Sequence, residues 1–279
     1  MPPLALVLQL LALGGAVAFL YGHVFADLAT QWWTDENYSH GFLVPLISGY
    51  LLWERRRQLM RCRIETSAWG YPVLLLGLAL LIVGQASAFG YPVRLSFLVT
   101  VAGLTMLLAG RDALRIAAFP LIFLLFMIPL PAPVLNKVAF PLQLLAARVA
   151  GTTLDLANIP VLREGNIIDL ANSRLEVTEA CSGIRSLVAL LALAVVFAYF
   201  SQKTWRSQAA LVASAIPIAV VANAARVTLT GVLAQIFGSE AAMGFYHLFS
   251  GWLIFVVAFG LMVMVGGALG SRRPGTTGT

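Results

Sequence analysis

The chain has 279 residues, of which 60% are hydrophobic and only 11% charged, with a net charge of +6. A soluble globule carries roughly 25% charged residues, so this composition excludes one. In so apolar a chain the basic excess marks membrane topology and gives no reason to expect nucleic acid.

Lipid tolerates no unpaired backbone, so the expected fold is an all-α polytopic membrane protein. The first apolar run, "LALVLQLLALGGAVAFLYGHVF", lacks a basic n-region, and its "AVA" is a weak cleavage match, so it reads as a retained span. Apolar runs predict about eight transmembrane helices, at 4–25, 39–53, 69–88, 92–110, 115–130, 181–200, 207–227 and 246–268. A further stretch, 134–157, is interrupted by Lys137, Pro141, Gln143 and Arg148. It is either a ninth span or a helix lying in the interface; the interface is preferred, because a ninth span would invert the later topology. Next, "VLREGNIIDLANSRLEVTEA" carries Glu-Gly-Asn and Ala-Asn-Ser turn signals and an alternating "LEVTE", which predict a small extracytoplasmic β-hairpin or meander. The expected organisation is one transmembrane domain over 1–270, with 131–180 as a large extracytoplasmic loop and 271–279 as a disordered cytoplasmic tail.

With the N-terminus inside, the inner loops hold Arg55, Arg56, Arg57, Arg61, Arg63, Arg111, Arg115, Lys203, Arg206, Arg272 and Arg273, which is 11 of the 18 Lys and Arg. They hold three of the 12 acids, Glu54, Glu65 and Asp112. Lys/Arg bias sets orientation, so 131–180 is expected outside. The two cysteines, Cys62 and Cys181, then fall on opposite faces and form no disulfide framework.

The stretch "TEACSGIRSL" puts Glu179, Cys181 and Arg185 at the mouth of an apolar helix. At about 1.5 Å per residue, Cys181 lies one membrane thickness from Lys203, and Arg226 lies one thickness from Arg206. His247 opens the last span from the same side. Three spans therefore deliver Cys, Arg and His to one plane, though spacing alone does not show that they touch. A thiol at a helix N-terminus is a strong nucleophile once ionised. A histidine can hold its proton and later protonate a leaving amine. Arg226 can donate to an oxyanion, with Asn223 three residues earlier on the same face.

Plainer readings stand beside these. A lone Cys in a span is usually a small hydrophobe, and Arg226 could snorkel to headgroups. An Arg in an apolar run is nonetheless a functional candidate by default. Chemistry alone splits the base role between His40 in "NYSHGF" and His247 in "FYHLFSGW"; Gly251, four residues after His247, permits close helix contact there. Arg185 either pairs with Glu179 or holds helices together. The three histidines and two cysteines show no metal-ligand spacing, so no metal and no cofactor are expected.

In "EACSGIRSL", "NAAR" and "HLFSG", together with "NYSHGFLVPLISGYLLWERRR" and "IPLPAPVLNKVAFPLQLLAARVAG", the chain resembles the exosortase family over roughly residues 15–268. These are multipass bacterial membrane proteins related to archaeosortases. The resemblance implies a cysteine transpeptidase or protease of the bacterial inner membrane with its site facing the periplasm, and it maps the catalytic residues onto Cys181, Arg226 and His247. Glu179, Arg185, Asn223 and His40 are the supporting candidates. The implied substrates are membrane-anchored exported proteins with a C-terminal sorting signal: a Pro-Glu-Pro-type motif, a hydrophobic span and a basic tail. The implied setting is exopolysaccharide production. Some members carry a further C-terminal extracytoplasmic domain, so a separate extracytoplasmic partner protein is one expectation. The alternatives are a protease that hydrolyses the same substrates, or a non-enzymatic transporter or scaffold in polysaccharide export. A transporter is expected to carry midplane polar residues and broken helices, whereas here the unusual polar groups cluster at one face.

Overall fold

The computed structural model describes residues 4–87, 89–171, 173–177, 184–237 and 245–270, and of 4–7, 9–10, 173, 237 and 245–248 the backbone alone. The chain divides into two compact units, Met1–Pro131 and Ala132–Thr279.

The first unit holds helices α1 (Leu4–Thr34), α2 (Leu43–Glu54), α3 (Arg56–Arg61), α4 (Gly70–Ala86), α5 (Gly90–Leu108) and α6 (Gly110–Phe123), with short 3-10 turns at Glu36–Phe42 and Leu124–Met127. The α4–α5 hairpin closes on glycines seven residues apart. A Cβ at Gly70, Gly77 or Gly84 would meet the backbone nitrogens of Leu107, Thr100 and Val93 at 2.7, 2.7 and 2.9 Å. Only hydrogen fits there, and in lipid such close backbone packing is what holds helices together. Helix α1 is pinned to α5 by a buried polar cluster: the Tyr21 hydroxyl lies 2.8 Å from Thr100 Oγ1 and accepts from Ser96 Oγ at 3.2 Å.

Pro120 explains how α2 meets α6. A proline inside a helix cannot donate to the carbonyl four residues back, here that of Ile116. Arg55 Nη1 donates to that freed oxygen at 2.6 Å, and Ser48 Oγ donates to the Pro120 carbonyl at 2.8 Å. A further long-range bond runs from Trp32 Nε1 to the Met127 carbonyl at 3.0 Å.

The second unit runs α7 (Ala132–Leu156), strands β1 (Val161–Glu164), β2 (Ile167–Leu170) and β3 (Ser173–Glu176), then α8 (Ile184–Ser201), α9 (Trp205–Phe237) and α10 (Phe245–Gly270). Helix α7 stops in a Schellman motif. Ile159 N donates to Leu154 O at 3.0 Å and Asn158 N to Asp155 O at 2.9 Å, with Asn158 at φ 59° and Pro160 just beyond. The strands form an antiparallel meander in the order β1-β2-β3. Gly165, at φ +63°, is the first of two residues linking Glu164 to Ile167, where a tight hairpin needs a positive φ. The predicted hairpin or meander is thus present as a meander. Its alternate residues Ile168, Leu170, Leu175 and Val177 are buried against α7 and the far end of α9, with Ala146, Ala147, Ala150, Leu154, Val227 and Ala234. A separate core binds α8, α9 and α10 through Leu187, Leu190, Ala194, Leu211, Ala215, Ala219, Ala258 and Met262.

Five of the described helices are long and apolar enough to cross a membrane, or six if Gly110–Met127 and Ala132–Leu156 are counted as one broken span. The expected number, about eight, is not confirmed among the described residues. The predicted span 39–53 begins in a 3-10 turn and leaves α2 with 12 residues, about 18 Å at 1.5 Å per residue. Helix α4, with 17 residues, is one of the shorter apolar helices. The predicted span 115–130 ends as a helix at Phe123. The stretch 134–157 is one continuous helix, α7, despite Pro141. The predicted tail, 271–279, lies outside the described residues.

Candidate functional site

Helix α9 decides the geometry. Predicted over 207–227, it continues to Phe237. Its buried residues recur every four positions, at Leu211, Ala215, Ala219, Asn223 and Val227. The first three belong to the core shared with α8 and α10, while Val227 belongs to the core shared with α7 and the sheet. Asn223 and Arg226 stand at the seam between the two. Polar groups buried in such surroundings are expensive unless paired, and so mark a candidate site.

Arg226 is half-buried and meets α10 at Gly251. A Cβ on Gly251 would lie 3.3 Å from Arg226 Cζ, 3.3 Å from Nη2 and 3.4 Å from Nε. The close contact expected of Gly251 is therefore present, and its occupant is the guanidinium. Asn223 is buried, and its Oδ1 has no hydrogen-bond partner among the described residues. Thr230, one turn past Arg226, donates to the Arg226 carbonyl at 3.0 Å. Ser250, beside Gly251, is 2% exposed. Sequence reasoning passed over Ser250 and Thr230; the signal was their place one residue, or one turn, from the candidates in otherwise apolar helices.

The ends of the bundle are in register. At the far end of α8, Gln202 Nε2 donates to the Gly266 carbonyl of α10 at 2.9 Å, and a Cβ on Gly266 would lie 3.5 Å from Leu211 of α9. Counting back from there along parallel α8 and α10 brings the start of described α8, Ile184, to the opening turn of α10. His247 occupies that turn, four backbone positions before Gly251 and therefore on the same helical face. Arg185, half-buried, stands in the first turn of α8. Cys181 and Glu179 lie outside the described residues, three and five positions before Ile184.

His40 belongs to the other compact unit, in the 3-10 turn Glu36–Phe42. Burial pushes its imidazole below the ordinary range, against backbone hydrogen bonds with Phe126 and Asn37 that favour the charged form. Its Nε2 is buried without a hydrogen-bond partner among the described residues.

The opposite face of α9 is apolar. Val221, Ala225 and Thr228, with Leu145 and Val149 of α7, line an open groove of about 520 Å³. At 100° per residue it turns away from Arg226.

No curated protein and no solved structure matches the chain. A family model described as transmembrane exosortase matches residues 32–264, within the span of the resemblance and including Cys181, Arg226 and His247. The chain belongs to the transmembrane exosortase family.

Proposed function

We propose that this exosortase is a membrane cysteine transpeptidase acting on membrane-anchored proteins with a C-terminal sorting signal, from the outer face of a bacterial inner membrane. The observation that carries the reading is Arg226, held at the seam of two apolar cores against Gly251, one helical turn from the backbone position of His247. A guanidinium with a preorganised seat suits an oxyanion that forms only during reaction.

The steps follow from the residue types. The Cys181 thiolate attacks the scissile carbonyl, forming a C–S bond while Arg226 donates to the developing oxyanion. The C–N bond then breaks, and the amine leaves with a proton from His247. An acceptor nucleophile gives its own proton to His247, attacks the thioester and releases the Cys181 thiolate, restoring the starting ion pair. Asn223, one turn from Arg226, orients the peptide or the guanidinium. Lateral diffusion brings the substrate, because its hydrophobic span lies in the same bilayer as the enzyme.

The test is co-expression with a candidate substrate and mass spectrometry of the new C-terminus. Transfer gives an adduct and hydrolysis gives a free acid. Cys181→Ala should abolish processing at unchanged enzyme abundance, while Cys62→Ala, at a free half-buried thiol, should leave it intact. Normal processing by Cys181→Ala would end the covalent mechanism and favour a scaffold.

A further inference from the structure

The first unit carries a second polar site. His23, Asp27, Gln85 and Arg94 line a pocket of about 210 Å³, floored by Val24, Val93 and the hairpin glycines Gly84 and Gly90. They come from α1, α4 and α5, beside the Tyr21–Ser96 contact that joins α1 to α5. Ionisable groups in such helices mark a ligand or a pathway by default.

These groups gather at one end of the α4–α5 hairpin. Gln85 is the penultimate residue of α4 and Arg94 the fifth of α5, so both stand within about one turn of the hairpin's end. The Gln85 amide nitrogen lies 3.1 Å from His23 Nε2, tying α1 to the end of the hairpin. Arg94 folds back along α5, its Cζ 3.9 Å from where a Cβ of Gly90 would stand. Asp27, exposed, lies one turn beyond His23, further out along α1. No ion pair among the described residues involves Asp27 or Arg94, although the carboxylate is near enough to act on the guanidinium electrostatically. Two opposite charges thus share one cavity without closing on each other.

A guanidinium and a carboxylate that share one cavity without pairing match the phosphate and the ammonium of a zwitterionic phospholipid. Its phosphate lies nearer the acyl chains and its ammonium further out. The pocket is smaller than the roughly 300–1,000 Å³ of sites for drug-sized ligands, as a headgroup requires. A primary ammonium offers Asp27 N–H donors; a trimethylated one offers none and is bulkier. We propose that this pocket binds the headgroup of phosphatidylethanolamine, with the phosphate on Arg94 and the His23 ring N–H, and the ammonium on Asp27.

The test is native mass spectrometry of the full chain in detergent, equilibrated with equal amounts of phosphatidylethanolamine, phosphatidylcholine and phosphatidylglycerol. Phosphatidylethanolamine should be retained preferentially. Asp27→Asn should bring its retention down to that of phosphatidylcholine, and Arg94→Gln should lower both, each by about tenfold, the size of a charge-assisted hydrogen bond. Equal retention of the three lipids by the wild-type chain, or preference for phosphatidylglycerol, overturns the proposal without recourse to any variant. Retention unchanged in both folded variants overturns it as well.

Discussion

Glycine meets its neighbours differently in the two units. Along the α4–α5 hairpin, a Cβ on Gly70, Gly77 or Gly84 would strike backbone nitrogen at 2.7, 2.7 and 2.9 Å, so the missing side chain lets two helices touch. At Gly251 a Cβ would meet the tip of a long side chain, Arg226, at 3.3–3.4 Å, so the missing side chain makes room for a guanidinium. Backbone cannot retreat without parting the helices; a guanidinium can. One contact therefore concerns folding; under the proposed function the other concerns aim.

Removing the group for which Gly251 makes room is the strongest way to test the comparison. Lys in place of Arg226 keeps the charge and loses the planar fork. Loss of one oxyanion donor typically costs about 10²–10³ in rate. Arg226→Lys should be inserted and stable, yet process substrate at least roughly 100-fold more slowly, in turnover more than in binding. The check is a cleavage time course in membranes, normalised to enzyme level. A near wild-type rate would reduce Arg226 to a structural cation and leave Gly251 a mere packing residue.

The hairpin should respond in stability instead. Gly77→Ala drives a methyl into the backbone and Oγ1 of Thr100, and overpacking of this kind costs about 1–3 kcal/mol. Ala at Gly49, where a Cβ would meet nothing within 4 Å, is the control. Thermal unfolding in detergent should separate the two, with Gly77→Ala melting lower. Equal melting points would show that the hairpin relaxes and that its glycines are not what brings the helices together.

The two contacts were not equally legible in the sequence. Gly251 stood out because a histidine lies one turn before it, and the spacing of Arg206 and Arg226 set its partner's depth. The seven-residue glycine spacing of the hairpin went unread, because which helix it faces depends on a tertiary contact. Apolar length located α5 and α8 well, and the Glu-Gly-Asn turn located the sheet. Length failed where helices break for local reasons, as at the 3-10 turn of Glu36–Phe42. It failed again where a helix outruns its span, since α9 past Arg226 is held by α7 and the sheet and not by hydropathy alone. The choice between His40 and His247 could not be made from spacing, because both were assigned to one side.

The smallest expected effect divides the comparison most cleanly. Gly251→Ala places a methyl 3.3–3.4 Å from three guanidinium atoms, tighter than ordinary contact yet without a backbone collision. Arg226 yields by a few tenths of an ångström, because its head is the far end of a flexible chain. The helix itself gains, since Ala exceeds Gly in helix propensity by about 0.8–1.0 kcal/mol. Gly251→Ala should therefore melt at or above the wild-type temperature while losing activity. A donor displaced by that much still points at the oxyanion, so the loss should fall below the roughly 100-fold set for removing the fork altogether. Opposite signs in stability and rate are what a seat for a working side chain requires. A variant that loses stability and rate together would make Gly251 a hairpin-type glycine and erase the distinction between the two contacts. In the Arg226→Lys background the added methyl has a slimmer neighbour, so the second substitution should then change the rate little. An undiminished effect there would mean that Gly251 acts through something other than Arg226.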